Sequence, residues 1–326
     1  MESLRRTPVG ELSEIIQKFV RHKRSLGYKY LIEEDLLCRF SRFSLSYELS
    51  GNIIPKELVE DWIKHIPGET RSTQRIRCSC LSVFLRFAAD NGYQVVLPPK
   101  PKRAVQVYIP YIFSEMEIAR FLHICDHMLP YPGTHKHIMV PVIFRLMYGC
   151  GLRVSEVSNL KCCDVDLDHG ILTIRESKFG KDRLVPMSES LREILYQYHV
   201  GMNPSCKDTD FFFRSKNLKP VSRHWIYRRF REILRKCGIA HAGKGKGPRA
   251  HDLRHSFCVR TLKQLVDQGA DIYYALPILA TYVGHASVKA TQGYVRLTVD
   301  MYPELMEKVS QECAYILPEV MVNETD

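Results

Sequence analysis

Apolar residues recur at helical spacing along the first hundred positions. Leu12, Ile15, Ile16 and Phe19 form one stripe, and Leu81, Phe84, Leu85 and Ala88 form another. Steps of three and four bring side chains to one side of a helix, so each set predicts an amphipathic helix packed through that side. Between them, SGNIIPKELVEDWIKHI reads as a turn followed by a short helix. The polar sides are basic: QKFVRHKRSLGYKY and ETRSTQRIRCSC each carry several cations and at most one acid. Such a side is either a solvated helix face or one turned toward a polyanion.

The pattern changes at LPPKPKRAVQVYIP, where prolines deny helix and basic residues keep the chain in solvent. It reads as a linker at residues 101–110, between a helical unit at 1–100 and a second unit at 111–326. In the second unit helical stripes alternate with a short β segment, GILTIRESKFGKDRLVPM, in which Ile171 to Arg175 and Arg183 to Met187 can pair as a hairpin. The expected fold is mainly α with a small β-sheet or hairpin in the second unit.

Composition narrows this further. With 326 residues, 45% of them hydrophobic, each unit can bury a core, and a disordered chain is excluded. A net charge of +11 favours a polyanionic partner, because clustered Lys and Arg release counterions from phosphates. No apolar stretch follows the charged start MESLRRTPVGELSE, and the most apolar run, HIMVPVIFRLMYG, is interrupted by Arg145 and far short of a membrane span. A cytoplasmic location is expected. The eleven cysteines are then expected as reduced thiols, most of them small core residues.

Candidate chemistry lies in the second unit. In GCGLRVSEVSNL two glycines lead into a helix whose apolar side carries Val154, Val157 and Leu160. Arg153 stands in its first turn, where a cation opposes the helix dipole, so an anion should hold it. Glu156, three residues on, can do so as a plain intrahelical ion pair. Lys178 sits at the hairpin tip, where a lysine either reaches into a closing site or serves solubility. In GKGKGPRAHDLRHSF, His251 and Arg254 are three apart and share a helix face, and Lys244, Lys246 and Arg249 extend the positive patch. His285 and Tyr294 stand nine places apart in GHASVKATQGY, with turn and N-cap residues between them that suggest a short helix.

Together these residues supply what phosphodiester transfer needs without a metal. Two arginines offer paired donors to the non-bridging oxygens as charge builds. A lysine can protonate the leaving 5′ oxygen, and histidines can take the nucleophile's proton and steady the phosphate. A tyrosine near such cations, which favour its phenolate, is a credible nucleophile, and a tyrosyl phosphodiester would store the bond energy without ATP.

The segments GLRVSEVSNL, SKFGKDRLVP, HDLRHSF and VGHASVKATQGY, in this order, resemble the signatures of the tyrosine recombinase, or phage integrase, family. The resemblance covers the second unit and extends to a helical, basic core-binding domain in the first. It implies a two-domain, C-shaped clamp on double-stranded DNA carrying specific recombination sites. It also implies a homotetramer on paired sites, exchanging strands through a Holliday junction, and no cofactor. Arg153 and Arg254 would clamp the phosphate, Lys178 would be the general acid, and His251 would assist proton transfer. His285 would bond the scissile phosphate and Tyr294 would form the 3′-phosphotyrosyl link; Glu156 matches a mostly structural acidic position. Lys181 rivals Lys178.

The chain departs from the family pattern at TYVGH, LKCCDVDL and the longer LVDQGADIYYALPIL, which touch packing more than chemistry. After Tyr294, Met306, Val309, Cys313 and Ile316 form a helical stripe, in a tail helix that would dock on its own domain or on a neighbouring protomer. Other readings are a metal site at FLHICDH, with His123, His127 and Cys125 near His135 and His137; a non-catalytic DNA-binding regulator; and a type IB topoisomerase.

Overall fold

The computed structural model describes residues 7–99, 109–175, 182–241, 247–285, 291, 293 and 294. The chain divides into two compact units, Met1–Tyr108 and Ile109–Asp326. Most of the expected linker lies outside the described residues, as does the tail with Met306, Val309, Cys313 and Ile316.

Among its described residues the first unit has four α-helices: α1 (Ser13–Ser25), α2 (Leu31–Phe43), α3 (Lys56–Ile63) and α4 (Arg71–Asp90). Both stripes read from the sequence are buried, and they meet: the Phe84 ring lies 5.6 Å from Phe19 and 6.3 Å from Phe40. The side chain of Thr70 caps α4 by accepting the backbone N–H of Thr73. One basic face is less basic than its sequence suggests. Arg71 and Arg75 are exposed, but Arg77 turns inward and pairs with Glu69 at 2.7 Å.

The second unit is mostly helical. Helices α5 (Glu115–Asp126), α6 (Lys136–Gly149) and α7 (Val154–Asn159) precede three short strands, β1 (Val165–Asp166), β2 (Ile171–Ile174) and β3 (Arg183–Pro186). The strands form one antiparallel sheet in the order β1-β2-β3, with Ile171 opposite Pro186 and Ile174 opposite Arg183. The expected hairpin is therefore present, pairing Ile171–Ile174 with Arg183–Pro186, with β1 added at its edge. Lys178 and its rival Lys181 lie in 176–181, and Lys244 and Lys246 in 242–246, all outside the described residues.

After the sheet come α8 (Glu189–Met202), α9 (Arg223–Lys236), α10 (Asp252–Asp267) and α11 (Ile272–Val283). The main core packs Phe121 edge-on against Phe144 and tilted against Phe230, with ring centroids 5.2 and 5.6 Å apart. A smaller core joins α10 to α11 through Cys258, Val259, Leu262, Leu276, Leu279 and Val283, and Tyr294 belongs to it. In α6, Arg145 pairs with Asp126, and among the described residues no helix is long and apolar enough to cross a membrane. The ten described cysteines are free thiols, seven of them buried.

Candidate active site

The site begins at two glycine turns. Gly151 takes φ +59°, and a Cβ there would lie 2.5 Å from the Phe257 ring. Gly284 caps α11 with φ +66°, and a Cβ there would meet the Arg183 guanidinium at 3.0 Å. Only glycine fits both the left-handed conformation and these close approaches. The two turns also present carbonyls: Gly151 O accepts from Arg254 Nη1 at 2.7 Å, and Gly284 O accepts from Arg153 Nη2 at 3.0 Å.

Arg153 is the N-cap residue of α7, and the anion that the helix dipole calls for is Glu156. Glu156 Oε1 accepts from Arg153 Nη1 at 2.6 Å and Oε2 accepts its backbone N–H at 2.9 Å. Arg183 on β3 binds the same carboxylate through both Nη atoms, at 3.0 and 2.9 Å, and gives its Nε–H to Tyr282 O. Burial alone would raise the Glu156 pKa, but the bonds and charge of Arg183, then Arg153, hold it down at about 2. Glu156 is thus an ionised hub rather than the partner of one arginine.

Arg254 lies on α10 with no exposed surface. Its Nη2 also bonds Val283 O, and Glu156 stands 3.9 Å away. Burial, then the charge of Arg153, depresses its pKa to about 10, so it remains a cation at neutral pH. His251 caps the same helix, half-buried, with its pKa lowered to about 4 by burial and by Arg254 and Arg153. His285 follows the Gly284 turn and is lowered to about 4 for the same reasons. Its Nδ1 lies 2.9 Å from Thr291 Oγ1, and its ring stacks on Tyr294 at 5.9 Å and 17°.

Tyr294 is helical and only 4% exposed. The nearby cations favour its phenolate as expected, but in this state other groups outweigh them. Burial, and after it the Cys258 thiol, push its pKa well above the ordinary tyrosine value, outweighing Arg254 and Arg153. The structure thus gathers Arg153, His251, Arg254, His285 and Tyr294 into one cluster through these contacts.

Three members of the site escaped the sequence reading. His255 lies with its Nδ1 2.9 Å from the Tyr294 hydroxyl and its ring edge-on to His251 at 4.8 Å. The signal was present, since His255 is four residues after His251 and so one turn on. Arg183 shares the inward side of β3 with buried Val185, which two-residue periodicity could have flagged. Cys258, buried beneath Tyr294, carries no signal beyond its apolar position. At FLHICDH, the His123 and His127 rings lie 4.0 Å apart and tilted to one another, but Cys125 is sealed in the core. Among the described residues no three His, Cys, Asp or Glu side chains are placed to hold a metal ion.

The fold that carries this cluster, a small sheet among helices, is shared with known proteins. Residues 112–301 match the sequence model of the phage integrase family. The chain is 32% identical over 315 residues to the protein y4rB of Sinorhizobium fredii, provisionally named an integrase/recombinase, covering 91% of this chain and 96% of that one. It is 34% identical over 172 residues to the tyrosine recombinase XerA of Pyrococcus furiosus, covering 52% and 54% of the two chains. The structure of a lambda integrase dimer bound to a COC′ core site superposes with a TM-score of 0.60 at 17% identity, over 86% of this chain and 94% of that one, so the fold is shared. The chain belongs to the phage integrase family, the tyrosine recombinases.

Proposed function

We propose that this protein is a site-specific DNA recombinase that cuts and rejoins strands through a covalent link between Tyr294 and a 3′ phosphate. The observation that carries this reading is the cluster itself: one tyrosine, two guanidinium groups and three imidazoles around a common point in a member of this family. In the proposed step Tyr294 attacks the scissile phosphorus. Arg153 and Arg254 stabilise the charge that builds on the non-bridging oxygens. His251 assists proton transfer, His285 bonds the phosphate, and Lys178 protonates the leaving 5′ oxygen. The phosphotyrosyl bond conserves the energy of the broken phosphodiester, so religation needs no ATP.

In this reading the first unit, 1–100, is a core-binding domain whose exposed Lys18, Arg21, Arg71 and Arg75 track phosphates. It closes a C-shaped clamp on double-stranded DNA, joined by the linker at 101–110 to the catalytic domain at 111–326. Four copies act on paired sites, with the tail helix docking in or between protomers.

The test is a nicked suicide duplex carrying the sequence that the purified protein protects from cleavage in a footprint. The expected product is a protease-sensitive protein–DNA adduct that disappears in Tyr294→Phe. A noncovalent shift without adduct identifies a DNA-binding regulator instead. Supercoil relaxation without sequence preference identifies a topoisomerase.

A further inference from the structure

We infer that His255 is the proton acceptor for Tyr294, the imidazole to which the nucleophile passes its hydroxyl proton as it attacks the phosphate. The inference rests on the strand-cleavage reading above and assigns within it the atom that first receives the tyrosine's proton, His255 Nδ1.

Geometry separates the three imidazoles. His285 meets Tyr294 ring to ring, nearly parallel, and its Nδ1 is directed to Thr291 Oγ1, so it orients the phenol ring rather than the hydroxyl. His251 meets His255 edge-on, ring to ring at 4.8 Å. His255 Nδ1 is at 2.9 Å from Tyr294 Oη, within hydrogen-bond distance, and its position on α10 is fixed by the buried neighbours Arg254, Ser256 and Cys258.

The charge state fits. Burial, and then His251 and Arg254, lower the His255 pKa to about 3, so the ring is neutral near pH 7 and its Nδ1 lone pair is free to accept once Nε2 carries the proton. Tyr294, raised by burial, will not ionise near neutrality without an acceptor. A base so depressed is weak in the DNA-free protein. A phosphate dianion-like transition state held by Arg153 and Arg254 offsets the arginine repulsion that is part of the depression, so basicity returns where and when attack occurs.

The step balances. The Tyr294 O–H bond breaks with its proton going to His255 Nδ1, the Oη–P bond forms, the P–O5′ bond breaks, and the 5′ oxygen takes a proton from the general acid proposed at Lys178. Religation runs in reverse, with His255 returning the proton to the departing phenolate.

The test compares wild type, His255→Asn, His255→Phe and Tyr294→Phe in full-length protein on the nicked suicide duplex. It uses a second duplex with sulfur in place of the 5′-bridging oxygen at the scissile position, whose thiolate leaves without a proton. The asparagine variant can accept the hydroxyl hydrogen but cannot take the proton; phenylalanine keeps the ring volume. Melting temperature and DNA affinity report on folding. Both variants should bind DNA as wild type does and form adduct about 10²-fold or more slowly at pH 7 on both substrates. The deficit should shrink as pH rises and the phenol ionises unaided. Adduct formation within about threefold of wild type, a deficit that does not change with pH, or one cured by the sulfur substrate would each overturn the assignment. The last would place His255 on the leaving-group side. Absence of any Tyr294-dependent adduct in wild type would overturn the cleavage reading as well, whereas an adduct unaffected at His255 overturns this inference alone.

Discussion

Each unit of this protein buries an arginine, and the two are held in different ways. In the first unit Arg77 gives two bonds to Glu69, at 3.0 and 2.7 Å, and one to Lys64 O, and lies 5.3 Å over the Trp62 ring. Its charge is cancelled where it sits. In the second, Arg254 is held by two backbone carbonyls, and the carboxylate 3.9 Å away already serves Arg153 and Arg183. Three guanidinium groups share one carboxylate, so this cluster is left with positive charge. Each arginine also keeps one buried N–H without a partner among the described residues, Nη1 of Arg77 and Nε of Arg254, so an orphan donor does not tell them apart. Charge balance does. A closed ion pair holds a fold, whereas guanidinium groups kept cationic without a matching carboxylate are prepared for an incoming anion.

The largest effects should therefore fall on opposite properties. Arg254→Lys keeps the charge but loses the fork that two carbonyls and a phosphate can share, and adduct formation should fall by roughly 10³-fold while DNA binding persists. Arg77→Ala strands a buried Glu69 carboxylate and should destabilise the first unit by roughly 3–5 kcal/mol in chemical denaturation. Replacing both partners, Arg77→Met with Glu69→Leu, should recover most of that loss, because apolar groups of similar volume need no counter-charge. Near-normal adduct formation by Arg254→Lys would erase the distinction between the two arginines.

The same contrast sorts what the sequence could disclose. The apolar stripes on α1 and α4 and the β2–β3 pairing were legible because periodicity reports directly on which side of an element is buried. Arg153, Arg254, His251, His285 and Tyr294 were legible as an ordered set of motifs. The sharing of Glu156 was not, since an i,i+3 spacing announces Arg153 as its partner but nothing local announces Arg183, 27 residues away. Nor did ETRSTQRIRCSC reveal that Arg77 points inward, because one buried cation in a basic helix leaves the charge pattern unchanged. The burial of Tyr294 was not legible for the related reason that it is set by tertiary packing, and here it outweighs the nearby cations.

Glu156 allows a graded test of the hub. Its folded pKa, about 2, lies below the ordinary 4.5, so its contribution to stability is complete above pH 4.5 and is lost as the pH falls through 2. Glu156→Gln should lower the stability of the second unit at pH 7 by on the order of 3 kcal/mol. The gap from wild type should narrow as the pH is taken from 5 toward 2. His251, His255 and His285, all with lowered pKa values, also oppose folding below about pH 6.5 as the unfolded chain takes up protons they refuse. That acid limb is common to both proteins at His255 and His285, while at His251 the Glu156 charge partly relieves the depression, so the difference reports Glu156 together with its effect on His251. A gap that stays constant with pH would mean that the carboxylate acts through shape and not charge.

The smallest effect tests whether the turn after α11 is part of the charged cluster or only a helix end. Gly284 and Gly238 both take left-handed φ values, +66° and +71°, but a Cβ at Gly238 meets nothing within 4 Å, whereas one at Gly284 meets Arg183 Nη1, Cδ and Cζ at 3.0–3.2 Å. Alanine at either position pays the left-handed strain of about 1 kcal/mol. At Gly284 the neighbour is a side-chain end that would ordinarily yield, yet Arg183 is tied by its Nε to Tyr282 O and by both Nη atoms to Glu156. Moving it loosens the hub, and the Gly284 carbonyl that holds Arg153 moves with the turn. Gly284→Ala should thus cost about 1 kcal/mol more than Gly238→Ala and should slow adduct formation severalfold, which Gly238→Ala should not. Equal losses of stability with equal adduct rates would show that Arg183 can give way freely, and that the glycine is there for its φ alone.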